Sequence, residues 1–447
     1  METKQLPLSP EQEAQYEAVC SKLDLNRLKR LLHAVTDIHS PTGRAGQTAR
    51  FMTDTLSGIG MNAQYFDMTE VSGNTFATLP GNGGGASLML YAPIDTHLEG
   101  NEDDYPWAAP APTVDLLPQA KTVGDWVYGL GSSNPKAMVA GLTEICRAVI
   151  EAEIPLKGDL MLAFGDGGMP VTVPERHYAG MSNGVMHLVN HGGYPDCCVI
   201  MKPNNCVFHE EPGMGWFKVT VWGTLGYTGV PRGVPGFRSS IVPAATVIQE
   251  IEAWFAEYCE RNSTPDILAE GWLAAAQSGW SERRPAFPSA ATELYFDVRI
   301  HPQVSPAEVK AQFAEFIDRM TAKHPDIEVS WEMYGSVPGG TTDPNHWIIQ
   351  SGKRGWEHVE RRPYPGPTAL GGQTDGAALR RLGIPTARMG WEWPAQGSPE
   401  PIAEGLGGMG ATYVPDLEPC LRKIAYVLVD TLTRERSEIL GPASKPS

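Results

Sequence analysis

ASLMLYAPID, residues 86–95, is an apolar run that gives way to polar chain at Asp95. A strand buried on both faces and emptying into a loop reads this way. Helical spacing precedes it in LNRLKRLLHAVTDIHS (25–40) and follows it in TEICRAVIEAEI (143–154). Two more short apolar strands come next, in LKGDLMLAFGDGG (156–168) and CCVIMKP (197–203). Helices alternating with buried strands predict a doubly wound sheet, whose sites lie outside the carboxyl ends of the strands. The loops after Ile94, Phe164 and Met201 are therefore where chemistry is expected.

From about Gly213 the texture changes. WFKVTVWGTLGYT (216–228) and TELYFDVRIHP (292–302) alternate with period two, while VIQEIEAWFAEYCERN (247–262) and AEVKAQFAEFIDRMTAK (307–323) are helical. This strand–helix–strand–helix block predicts an inserted α+β domain near 213–334, inside an α/β domain made of 1–212 and 335–447. The first sheet pattern is expected to resume with HWIIQSG (346–352), followed by GGQTDGAALRRLGIPTARMG (371–390) and a closing helix in LEPCLRKIAYVLVDTL (417–432).

Composition narrows the partners. The 447 residues are 42% hydrophobic and 19% charged, which fits a folded chain. Fifty-two acidic against 35 basic residues give a net charge of -17, a field that repels phosphate backbones and argues against nucleic acid. No apolar run approaches a membrane span and the N-terminus is polar, so a cytoplasmic location without a membrane partner is expected. The seven cysteines include no CxxC pair and suggest neither disulfides nor a thiolate zinc site; among them Cys206, near His209, is the candidate nucleophile.

Five stretches, in order, resemble the zinc-dependent family of acetylornithine deacetylase, succinyl-diaminopimelate desuccinylase, carboxypeptidase G and the aminoacylases. They are APIDTHLEGNEDDYPW (92–107), VYGLGSSNPKAMVAGL (127–142), IPLKGDLMLAFGDGG (154–168), WFKVTVWGTLGYTGVPRG (216–233) and GGQTDGAALRRLGIP (371–385). The resemblance implies a zinc-exopeptidase-like sheet domain with an inserted domain that pairs two copies as a homodimer. It implies hydrolysis of C–N bonds and a two-zinc site. The ligand positions of that site, however, are replaced. The HxD histidine is Pro93, leaving Asp95; the bridging aspartate is Asn134; the glutamate pair falls at Asp166-Gly167-Gly168; the acid before proline is Lys202; the late histidine is missing, since none follows His358. The histidine that the inserted domain lends is Tyr227. Proline and glycine offer no side-chain ligand and lysine adds like charge, so the dinuclear site cannot form as usual.

Two chemistries remain open. In one, the loops bind a single zinc or manganese ion through His97, Glu99, His209 and Glu210, with Glu175 and His177 as alternates, leaving a position for water. In the other, no metal is needed: Asp95 orients His97 as a general base, Asn134 and the GLGSSNPK backbone donate to an oxyanion, and Lys202 stabilises charge or acts as base or nucleophile. Lys202 as a mere neutraliser of Asp95 or Asp166 is the structural alternative. For substrate binding, Asn134, Tyr227, Arg238 and Asp375 are candidates; Arg232 and Arg299 also lie in the inserted domain. Aromatic residues in the loops (Tyr105, Trp107, Trp126, Trp216, Tyr227, Trp391, Trp393) would suit a flat small molecule. The leading expectation is a small-molecule amidohydrolase with at most one metal. A non-catalytic binding or assembly relative and an aminohydrolase on an aromatic or heterocyclic amine are the alternatives.

Overall fold

The computed structural model describes residues 6–104, 113–230, 235–279, 282–393, 395–403, 405 and 408–441. The chain divides into two compact units: residues 1–209, 342–367 and 374–447, and residues 210–341 with 368–373.

The first unit is built on a seven-stranded mixed sheet. Its strands are β1 (Asn62–Asp67), β2 (Gly73–Leu79), β3 (Leu88–Pro93), β6 (Leu160–Gly165), β7 (Cys197–Met201), β8 (Val207–Phe208) and β15 (Thr386–Met389), in the order β1-β2-β6-β3-β7-β15-β8. The central four, β6, β3, β7 and β15, run parallel. Alternation explains why β3 is apolar throughout. Leu88, Leu90 and Ala92 enter the core formed with Leu28, Leu32 and Val35, Leu142 and Ile145, and Leu421 and Ile424. Met89 and Tyr91 face the other way, onto Val185, Leu188 and Leu379. Fully burying each such side chain contributes about 1.5–3 kcal/mol. A three-stranded sheet of β4 (Lys121–Val123), β5 (Trp126–Tyr128) and β16 (Ala411–Tyr413) lies beside it in the same unit.

HWIIQSG is not part of a sheet. It opens the helix Trp347–Glu360, with the His346 side chain accepting from the Ile348 N–H as N-cap. A short apolar run cannot by itself separate strand from buried helix, and here Ile348, Ile349 and Trp356 recur at helical spacing in the core.

In the second unit a four-stranded antiparallel sheet has the order β11-β12-β10-β13, from β10 (Gly213–Trp222), β11 (Gly271–Ser278), β12 (Ala291–Ile300) and β13 (Glu328–Val337). Every second residue of β12 is buried. Phe296 stacks on Phe217 at 5.1 Å, and Phe313 and Trp254 from the two helices close the core over them. The helix Pro306–Lys323 starts at a capping box between Ser305 and Glu308. β11 and β13 flank the two strands legible in the sequence. The short strands β9 (Glu210–Glu211) and β14 (Gly340–Thr341) pair where the unit begins and ends. Among the described residues no helix is long and apolar enough to cross a membrane.

Candidate functional site

Parallel register brings the expected loops to one edge of the first unit's sheet. Pro93 lies beside Gly165, Tyr91 beside Ile200 and Met201 beside Met389, so Asp95, Asp166 and Lys202 all leave the sheet at the same end. Lys202 is held there by its own backbone: its N–H donates to the Met389 carbonyl at 2.9 Å. A Cβ on Gly390 would fall 1.6 Å from the Lys202 carbonyl oxygen, so only glycine allows this approach.

The two surviving aspartates are engaged by backbone. Asp95 is fully buried and accepts from the N–H groups of Gly168 (3.0 Å) and Met169 (3.2 Å). Burial, reinforced by the charge of Asp166, pushes its carboxyl up to about 7. Asp166, also fully buried, accepts from Gly43, Ala45 and Gly167 N–H groups (2.9, 2.9 and 2.7 Å) and from the Ser72 hydroxyl (2.6 Å). Its carboxyl is raised by burial despite these bonds. Asp375 accepts from the buried Tyr91 hydroxyl at 2.8 Å. A side chain at Gly168 would strike both Pro93 (2.6 Å) and the Asp375 carboxylate (2.7 Å), which explains glycine in the turn after β6.

Lys202 is 8% exposed and its ammonium donates to Asn134 Oδ1 at 2.8 Å. Asn134 sits at an extended break (φ -128°, ψ 104°) within the helical stretch Ser132–Ala137. Two residues on, the buried Lys136 reaches the Ile38 carbonyl at 2.7 Å and the Thr36 carbonyl at 3.3 Å, tying this loop to the end of the helix Leu25–Thr36.

Beside these loops a cavity of about 920 Å³ opens within the first unit, walled by Leu98, Leu116, Val171 and Val173 and bearing His97, Glu99, Asp103, Glu175 and Arg176. His97 is half-buried; its Nε2 is shielded from solvent and has no hydrogen-bond partner among the described residues. Burial pushes the imidazole pKa below its ordinary value; Asp104 opposes that shift and the Lys202 ammonium adds to it. Burial thus disfavours the charged form of the ring. No described hydrogen bond joins it to Asp95, the group expected to orient it; that carboxylate accepts instead from the turn after β6. The His97 loop is instead fixed by Asp104, which accepts from the Glu99 and Gly100 N–H groups at 2.9 and 2.6 Å.

Glu99 is held by a residue that the sequence reading passed over. Arg176 grips it through both guanidinium nitrogens (2.8 and 2.6 Å) and also donates to the Thr42 carbonyl at 3.0 Å. Arg176 lies between Glu175 and His177, both exposed. An arginine flanked by two candidate ligands in a polar loop has no periodicity to mark it; the acidic partner across the chain is the only signal, and that needs the fold.

The remaining candidates are dispersed. His209 gives its carbonyl to the Thr342 N–H (2.8 Å). In the second unit Glu210 accepts from the Thr341 hydroxyl at 3.4 Å, exposed Tyr227 packs on Phe287, and Arg238 pairs with Glu328 at 2.8 Å on the surface. Arg299 pairs with Asp297, which also accepts from Trp216. Trp126 stacks on Tyr128, and Trp391 and Cys206 are buried. Tyr105, Trp107 and Arg232 lie outside the described residues.

A two-zinc centre does not fit these donors. Pro93 brings none, Asp166 spends its oxygens on four protein donors, and where carboxylate ligands would stand an ammonium donates to an amide oxygen. Nor do three of His97, Glu99, Glu175, His177, His209 and Glu210 bring ligand atoms within 4.8 Å of one another: the one such trio among the described residues is Glu13, Glu17 and His358, partly exposed on the helices Pro10–Ser21 and Trp347–Glu360.

No family model matches the chain. Its fold nevertheless resembles that of known hydrolases along nearly its whole length. Human carnosine dipeptidase 1 superposes with a TM-score of 0.67 at 12% identity, covering 95% of this chain and 100% of that one. A tripeptidase from Staphylococcus aureus gives 0.65 at 14% identity, over 92% and 99%. An amidase of the hydantoinase/carbamoylase family from Burkholderia multivorans gives 0.61 at 12%, over 92% and 99%. The chain has the fold of these peptidases and amidases, the zinc-exopeptidase-like fold with an inserted domain, and at this identity the likeness speaks for the fold alone.

Proposed function

We propose that the chain hydrolyses an amide or related C–N bond of a small molecule in the cavity beside β3. The observation that carries this reading is the His97 imidazole, whose Nε2 is shielded and unpartnered and whose ring lines a cavity large enough for a drug-sized molecule. Unsatisfied buried polar atoms cost about 1–3 kcal/mol each, so one that persists beside a cavity marks a place for a ligand atom. In this reading His97 takes a proton from water as the water oxygen bonds to the carbonyl carbon. The C–N bond then breaks as the nitrogen receives that proton, giving a carboxylic acid and an amine. Lys202, held by Asn134, supplies positive charge near the developing oxyanion. No step is assigned to a metal; the reading allows one ion at most. The fold shared with peptidases and an amidase supports the reaction class.

The test is amine release from a panel of N-acyl and N-carbamoyl amines by the wild type and His97→Ala. The expected outcome is a loss of at least about 100-fold in kcat/KM for the variant, the scale of general-base removal, with an unchanged thermal midpoint. Wild-type activity surviving in His97→Ala overturns the role. A second reading, a binding protein without turnover, is favoured by the engagement of Asp95, Asp166 and Glu99 elsewhere. Ligand binding with no release from any panel member would favour it.

We also infer a homodimer formed through the second unit. Trp222, Leu225, Ile241, Val242 and Trp272 are exposed there, apolar side chains that a second copy would cover. A monomer by light scattering at micromolar concentration would contradict this.

A further inference from the structure

The charge of the cavity lining points to the class of molecule it takes. Four carboxylates, Glu99, Asp103, Asp104 and Glu175, share it with one guanidinium. That guanidinium, Arg176, is already committed to Glu99 and to the Thr42 carbonyl, so it is not offered to an anionic ligand. Asp104 is committed to two backbone N–H groups. Asp103 and Glu175, by contrast, are exposed and form no ion pair among the described residues. Burial of the His97 ring disfavours a positive charge on it. Between these groups the wall is aliphatic, from Leu98, Leu116, Val171 and Val173.

We propose that this cavity binds an amine cation with an apolar body: the ammonium faces Asp103 and Glu175, and the body lies on the aliphatic wall beside the His97 ring. A carboxylate-bearing ligand is disfavoured, since the described lining carries net negative charge and its one cation, Arg176, is occupied. In naming this cation as substrate class, the inference rests on the reading of the cavity as catalytic; binding itself does not need turnover.

The experiment uses the full-length protein and two probes of matched size, phenethylamine and 3-phenylpropionate, with binding followed by calorimetry. Phenethylamine is expected to bind and to weaken as salt is raised, because exposed charge pairs are screened. Glu175→Gln and Asp103→Asn, both at exposed positions, should each weaken it about two- to fivefold, the range for a partly solvated charge contact, while leaving the fold intact. Equal or tighter binding of 3-phenylpropionate overturns the inference, as does phenethylamine binding that both variants leave unchanged. If phenethylamine binds as expected but no N-acyl amine is hydrolysed, the cation site stands and only the hydrolytic reading falls.

Discussion

Asp95 and Asp166 on one side, and His97 with Asp103 and Glu175 on the other, leave the same end of the same sheet, yet they are used in opposite ways. The two aspartates are fully buried and between them accept five backbone N–H groups and a serine hydroxyl. His97, only two residues past Asp95, keeps a shielded nitrogen with no described partner, and the two acids at the cavity are uncommitted. Buried polar groups that are satisfied hold a structure together; those left unsatisfied beside a cavity await a ligand. The difference separates scaffold from site more sharply than residue type does, since both sets contain carboxylates.

The largest effect should come from the scaffold side. Asp166→Ala strands the N–H groups of Gly43, Ala45 and Gly167 together, and is expected to cost about 3–5 kcal/mol in denaturant unfolding, given about 1–3 kcal/mol per stranded buried group. A variant as stable as wild type would break the comparison.

Lys136 belongs to the same side and adds a pH test. Burial lowers its pKa from the ordinary 10.5 to about 7. Between those values the unfolded chain binds the extra proton, so stability rises with pH across the window, is lost as pH falls from 10.5 to 7, and levels off below 7. Relative to Lys136→Met, the wild type should therefore lose stability on going from pH 10 to pH 7. A difference between the two that does not change with pH would show that the ammonium is not buried as described.

A smaller effect is expected at the border between the two groups. Arg176→Met leaves the Glu99 carboxylate half-buried without its cation, for an expected loss of about 1–2 kcal/mol, between the cost of exposed and of fully buried pairs. The same change makes the cavity more negative, so phenethylamine should bind more tightly to this variant. Weaker binding would mean that Arg176 contacts the ligand.

Much of the fold was legible. The apolar runs of β3, β6 and β7 and the period-two alternation of β10 and β12 are written directly in residue type, because each is buried on two faces or on one. β1, β2 and β11 are less apolar, so their pattern is weak; β13 alternates Val329, Trp331 and Met333 with polar residues, a period-two signal that the reading passed over; and HWIIQSG is too short an apolar run to show that it begins a helix. For the site, the loss of the two-zinc donors could be read from Pro93, Asn134 and Lys202 alone. What took their place could not. The Lys202–Asn134 bond joins residues 68 positions apart and the Arg176–Glu99 clamp joins residues 77 apart. Neither has a local signature.

The central claim is that His97 is the unsatisfied group of a ligand site. Its most direct test is the carbon–proton spectrum of the protein labelled with ¹³C only in histidine, with the His97 resonance identified by its loss in His97→Ala. Addition of phenethylamine should move that resonance while 3-phenylpropionate leaves it in place; a His97 resonance indifferent to the amine at concentrations where calorimetry shows binding would contradict the account.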